Sequence, residues 1–216
     1  MNTFMKRALT MGLCLGSASL MAQTRSAGSA SETPHTLTIV NGVASFSVAT
    51  NIMAIEVSGK STAVQARVTV RQEGGSMTLQ HIEASLAAKS LNTGMGLRDE
   101  HMRKHIFTTA GGDVPDLRFE GGEVDCPAAA PGREIACKVS GSLAIRGVPK
   151  PFSIALKVRQ TGDLVRASGD GIVKLSDYGI ERPTQLGVKT SDDVKIHLDL
   201  SSKEAVSLSA STRREQ

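Results

Sequence analysis

The stretch Ile135-Ala136-Cys137-Lys138-Val139-Ser140-Gly141-Ser142-Leu143-Ala144-Ile145-Arg146-Gly147-Val148-Pro149-Lys150-Pro151-Phe152-Ser153-Ile154-Ala155-Leu156-Lys157-Val158 decides the fold. One parity of its first half holds Ile135, Cys137, Val139, Leu143 and Ile145, while the other holds Ala136, Lys138, Ser140, Ser142 and Ala144. After Pro151 the alternation resumes with Phe152, Ile154, Leu156 and Val158 against Ser153, Ala155, Lys157 and Arg159. Side chains of an extended chain point to opposite faces in turn, so both halves are strands with one apolar face. The turn residues Arg146 to Lys150 join them into a hairpin.

Working outward, the same period recurs at Val194, Ile196, Leu198 and Leu200. Weaker versions predict strands over 36–40, 43–49, 61–71, 76–86 and 165–175, and one from Leu117 to Glu120 that continues past a bulge at Gly121-Gly122. About eight strands joined by short turns, with little helical pattern, predict an all-β, eight-stranded antiparallel barrel or sandwich. Alternation alone does not say which face meets water. A membrane barrel carries aromatic girdles, and Phe46, Phe107, Phe119, Phe152 and Tyr178 are too few for two belts, so the apolar face points inward.

The chain has 216 residues, 40% hydrophobic and 21% charged, which suits one folded domain and excludes disorder and multiple spanning helices. At the N-terminus Lys6 and Arg7 precede the apolar run Ala8 to Met21, which is shorter than the roughly twenty residues of a spanning helix. Residues 1–22 read as a secretory signal ending at Ala22, and export to the periplasm or beyond follows. Cys14 follows Leu13 where lipidation needs a small residue, so it leaves with the signal. Loss of Lys6 and Arg7 lowers the formal charge from +4 to +2. With few aromatics and no dense basic cluster, a nucleic-acid partner is not expected. Cys126 and Cys137, separated by a turn with Pro and Gly, read as a disulfide in an exported protein. The residues from Ser201 to Gln216 form a polar tail.

Between Ser90 and Phe107 the strand pattern stops, and a short helix is predicted near 97–106. Met102 and Ile106 share one face at i and i+4, leaving Arg98, Asp99 and Arg103 near solvent. His101 and His105 have the same spacing, which can bring two imidazoles to one metal. Met102 stands where the metalloprotease motif needs Glu, so a structural or surface role is preferred and no metal or cofactor is expected.

Three blocks together resemble a known family. Ser90-Leu91-Asn92-Thr93-Gly94 followed by Arg98-Asp99-Glu100-His101-Met102, the hairpin Val139 to Pro151, and Lys174-Leu175-Ser176-Asp177-Tyr178-Gly179-Ile180 are similar, in order and spacing, to motifs of the YceI-like bacterial exported polyisoprenoid-binding proteins. Met102 replaces the family's usual Leu. The resemblance covers about residues 36–200. It implies a lipocalin-like barrel holding a long isoprenoid chain, a quinone or a related amphiphile, without catalysis.

An apolar tail needs a cavity with few polar atoms, since each buried CH2 contributes about 0.8 kcal/mol. Candidates for its lining are Phe46, Val48, Leu91, Met95, Met102, Phe107, Phe119, Leu143, Ile145, Phe152, Ile154, Val173 and Tyr178. Candidates to meet a phosphate head group are Arg98, Arg103, Lys104 and Arg182. The bland account of Arg98 and Asp99 is that they fix their own loop. Two other functions stay open: a stress or interaction module whose barrel is filled by its own side chains, and an enzyme acting on a small apolar ligand inside the barrel. Cavity volume separates the first from a carrier, and turnover separates the second. Oligomeric state is not legible.

Overall fold

A computed structural model of the chain describes residues 34–73, 76–127, 132–162, 164–185 and 187–204. The secretory signal expected at 1–22 and the part of the expected tail from 205 onward lie outside the described residues. Ten strands form one antiparallel sheet: β1 (Pro34–Thr50), β2 (Glu56–Ser61), β3 (Val64–Glu73), β4 (Ser76–Leu86), β5 (Leu117–Asp125), β6 (Glu134–Ile145), β7 (Val148–Thr161), β8 (Leu164–Lys174), β9 (Thr184–Gln185) and β10 (Val188–Glu204). Their order is β2-β1-β3-β4-β5-β6-β7-β8-β10-β9, and β10 also pairs with β1 from Leu37↔Glu204 to Thr50↔Thr190. The sheet therefore curls until its late strand meets its first, which leaves few unpaired backbone edges.

The expected count of eight is corrected to ten. β1 absorbs two predicted strands, because the chain stays extended through Val40-Asn41-Gly42 with only a register shift between Ile39 and Asn41. The predicted strand 61–71 divides at Thr62-Ala63, so that β2 pairs with the second half of β1 and β3 with the first half. β9 is a two-residue strand with no hydrophobic alternation to announce it. β10 continues past Leu200 to Glu204, so the first residues assigned to the polar tail belong to the sheet, and Ser202 is buried.

The β6–β7 hairpin is tighter than predicted. Ile145 pairs with Val148 across the two-residue turn Arg146-Gly147, whose φ values are 56° and 76°. Two consecutive left-handed residues match the twist of the flanking strands, and Gly147 takes this conformation without cost. Pro149 and Pro151 sit in the part of β7 that has no β8 partner, since that pairing begins at Ala155, so their missing N–H groups take nothing from a ladder. The predicted bulge in β5 appears as a register shift between Gly121 and Glu123.

The expected inward face is the buried one: Val139, Leu143, Ile145, Ile154 and Val173 are all buried. Fully burying one such side chain stabilises the fold by about 1.5–3 kcal/mol. Phe119 and Phe152 meet edge to face with centroids 6.2 Å apart. The Phe152 ring lies so close over Gly171 that a Cβ there would stand 2.8 Å from its Cζ. Glycine at that position lets the ring cover the opposing strand.

Between β4 and β5 the chain forms a 3-10 turn (Ala88–Ser90), helix α1 (Gly96–Met102) and one π-helical turn (Arg103–Phe107). This agrees with the helix expected near 97–106. Cys126 and Cys137 are bonded, tying the end of β5 to β6. Among the described residues no helix is long and apolar enough to cross a membrane.

Candidate ligand cavity

The C-terminal ends of β1, β4, β6 and β8 and the first residues of β2, β5, β7 and β10 converge at one end of the barrel. The segment from Ala88 to Phe107 and the residues from Gly179 to Gln185 border that end. Beneath them lies a cavity of about 970 Å³. That is the upper part of the usual range for small-molecule sites, about 300–1,000 Å³.

Of the apolar residues singled out by sequence, Phe46, Val48, Leu91, Met102, Phe107, Ile145 and Val173 line this cavity. They come from β1, the β4–β5 connection, β6 and β8, and the curling of the sheet brings them together. Leu143, Ile154 and Tyr178 are buried in the core away from the cavity, while Phe119 and Phe152 pack against the core cluster. The Tyr178 hydroxyl donates to the Leu143 carbonyl at 3.2 Å, and burial pushes its pKa up to about 12. Met95 points outward and is 58% exposed.

Helix α1 and the π-helical turn that follows it place Met102 and Ile106 on the cavity, as their i and i+4 spacing suggests. The same face carries Arg98, His101 and His105. The two imidazoles meet edge to face with centroids 4.9 Å apart. Among the described residues no group of three or more His, Cys, Asp or Glu is placed to hold a metal. Arg182 also lines the cavity, together with Arg146 and Glu181, which sequence reasoning did not single out. Arg103 and Lys104 stand on the same helical segment but do not line it.

Asp99 departs from the expectation that it faces solvent: it is 4% exposed. Its carboxylate accepts the Thr93 backbone N–H at 2.8 Å and the Thr93 hydroxyl at 2.5 Å. Arg98 donates from Nε to the Thr93 hydroxyl oxygen at 2.9 Å and from Nη2 to the Thr93 carbonyl at 2.7 Å. The Thr93 hydroxyl holds the Asp99 pKa below the ordinary carboxylate value, helped by its backbone N–H and by Arg103 and Arg98, against the opposing effect of burial. The Arg-Asp pair thus fixes the loop that carries the helix. Asn92 extends this anchorage by exchanging two backbone hydrogen bonds with Lys60 of β2, at 2.9 and 3.0 Å.

An apolar hollow inside a curled antiparallel sheet, with basic groups toward its covered end, defines a binding barrel. The chain belongs to the YceI-like domain family, whose model matches residues 35–202. Solved structures with the same fold include BcnA of Burkholderia cenocepacia, at 17% identity and a TM-score of 0.58, covering 74% of this chain and 95% of that one. A polyisoprenoid-binding domain of Saccharophagus degradans implicated in plant cell wall breakdown aligns at 16% identity with a TM-score of 0.57, covering 78% and 98%. A YceI protein of Campylobacter jejuni aligns at 20% identity with a TM-score of 0.57, covering 71% and 88%. No curated protein matches the sequence.

Proposed function

We propose that this chain is an exported, non-catalytic carrier that buries the tail of an isoprenoid-type amphiphile in its barrel, in the manner of a lipocalin. The observation that carries the reading is the cavity of about 970 Å³ with Phe46, Leu91, Met102, Phe107 and Ile145 among its walls. Transfer of hydrocarbon from water into such a space is favourable at about 0.8 kcal/mol per CH2, so a long tail binds without specific hydrogen bonds. The polyisoprenoid-binding domain of Saccharophagus degradans supports the same ligand class. A hollow of this size weighs against the filled-barrel module.

Arg98, Arg146 and Arg182 against the single carboxylate of Glu181 make the polar lining cation-rich, which favours an anionic head such as phosphate. A quinone head would instead accept hydrogen bonds from the same donors. A non-catalytic role is favoured because Asp99, the carboxylate next to the cavity-lining Arg98, does not line the cavity and accepts two hydrogen bonds from Thr93. Export is supported by the leader-like residues 1–22 and by the Cys126–Cys137 bond, which persists in oxidising compartments.

Native mass spectrometry of the protein purified from an exported fraction, followed by organic extraction, tests the proposal. A stoichiometric prenyl lipid is expected. An empty protein that takes up neither farnesol nor a prenylated quinone would end the carrier reading.

A further inference from the structure

We infer that the cavity end of the barrel docks on a lipid bilayer, with the β1–β2 turn as the inserting element. The inference rests on the carrier reading, because a tail buried in this cavity must come from a lipid phase. Among the described residues, Ile52, Met53, Ile55, Met95, Leu97 and Val148 are large exposed apolar side chains at this one end, against two elsewhere on the strands β1 and β8. Scattered exposed apolar residues need no explanation, but their concentration around one opening does.

The turn is the clearest part. Turn positions ordinarily carry Gly, Asn, Asp, Ser or Pro, whereas this one reads Ile52-Met53-Ala54-Ile55. Met53 is 96% exposed, and Ala54 sits at φ 73°, where a residue with a Cβ is uncommon. The protrusion is nevertheless held firmly. The Thr50 hydroxyl donates to the carbonyls of Ile52 at 3.1 Å and Ile55 at 2.9 Å, and it lies 3.2 Å from the Ile52 N–H. Asn51 donates to Gly187 at 3.2 Å and accepts from the Lys189 N–H at 2.8 Å, fastening the turn to the loop beside the cavity. Thr50 and Val57, on either side of the turn, both line the cavity itself. Met95 and Leu97 belong to the same rim, because the antiparallel bridge Lys60↔Asn92 sends the following residues back along β2 toward Glu56.

The shape selects the partner. Met53, 96% exposed in one short turn, is an isolated apolar side chain that a fluid acyl boundary closes around, whereas a folded partner buries a broad patch around its anchors. No charged residue lies between Thr50 and Ile55, so insertion is hydrophobic and does not require anionic lipid.

The chain contains no Trp, so Met53→Trp supplies a single fluorescent reporter. Phosphatidylcholine vesicles should shift its emission to the blue, and lipids brominated near the head group should quench it. Ile52→Glu with Met53→Glu should lower co-sedimentation with these vesicles at least about tenfold, the equivalent of one buried apolar side chain. The same double variant should take up farnesol from vesicle-free solution as the parent does. No spectral change on adding vesicles overturns the inference, and so does undiminished co-sedimentation of the double variant. A blue shift that needs only higher protein concentration also overturns it, in favour of self-association. Failure of the parent to take up farnesol sinks the carrier reading by itself, since vesicle binding is read independently.

Discussion

Asp99 fastens Thr93 at two points, through the Thr93 backbone N–H at 2.8 Å and the hydroxyl at 2.5 Å, and the residues between them form the entry into helix α1. This link has a titration signature. The folded-state pKa of Asp99 is lowered below its ordinary 3.8, so its contribution is present above that value and is lost as pH falls through the lower one. Asp99→Asn should lower the melting temperature at neutral pH and reduce the fall of stability below pH 3.8. Asp192, held low by the Ser176 hydroxyl and backbone N–H, retains its own share of that fall. Identical acid profiles of variant and parent would show that the link contributes nothing.

Tyr178 is the only tyrosine, so its absorbance on ionisation is read without interference. In the folded protein the phenol should titrate near 12, and after unfolding near 10.0. A folded pKa above the unfolded one means stability that is complete below pH 10 and declines as pH rises toward 12. Tyr178→Phe should cost about 0.5–1.5 kcal/mol through the hydrogen bond to the Leu143 carbonyl. A native titration midpoint at 10 would contradict the buried placement of the ring.

Gly169 and Gly171 of β8 separate two kinds of close approach. A Cβ at Gly169 would collide with the Ala155 carbonyl oxygen, which is backbone and cannot move aside. At Gly171 the obstacle is the Phe152 ring, a side chain that can turn about its own torsions where backbone cannot. We expect Gly169→Ala to cost more than about 3 kcal/mol and Gly171→Ala about 1–3 kcal/mol by denaturant unfolding. Equal losses at the two sites would be inconsistent with this geometry.

The Cys126–Cys137 bond closes a short loop. Opening it should cost about 3 kcal/mol and lower the melting temperature by about 6–12 °C. Calorimetry with and without a reductant, with thiol titration of each sample, is the check.

Met102→Glu places a carboxylate on the cavity wall at a partly buried position that packs against the buried cluster of Leu143, Ile145 and Val173 without belonging to it. An unpaired charge in an apolar site is disfavoured by more than the tail gains from a few CH2 groups, so farnesol uptake should fall at least about tenfold with the fold retained. Unchanged uptake would move the ligand elsewhere.

How much of this was legible in the sequence depended on whether a signal was periodic. Val139, Leu143, Ile145 and Ile154 announce both strand and face, because alternation survives any tertiary context. Val57 and Gly59 do not: β2 offers one apolar side chain and a glycine, and it is held by pairing with β1. The cavity wall was half legible, since Phe46 and Val173 share an inward face with Leu143 and Ile154, and alternation does not separate a lining residue from packed core. The Arg146 and Glu181 contributions come from turns without any period, whereas Arg182 was singled out by its charge alone. His101 and His105 were visible as a pair, but which element their helix face meets is a tertiary fact. Asp99 fixes its own loop together with Arg98, as the sequence suggests, but its burial is not legible there, because its partner Thr93 sits in the preceding loop and shares no helical face with it.

Closure of β10 onto β1 places both ends of the described chain together, with Leu37 opposite Glu204, and this pairing lies at the pole remote from the cavity. The described chain therefore enters and leaves the barrel as neighbouring strand ends, on the side away from the opening, so the seam that closes the barrel and the route for a ligand lie at opposite poles.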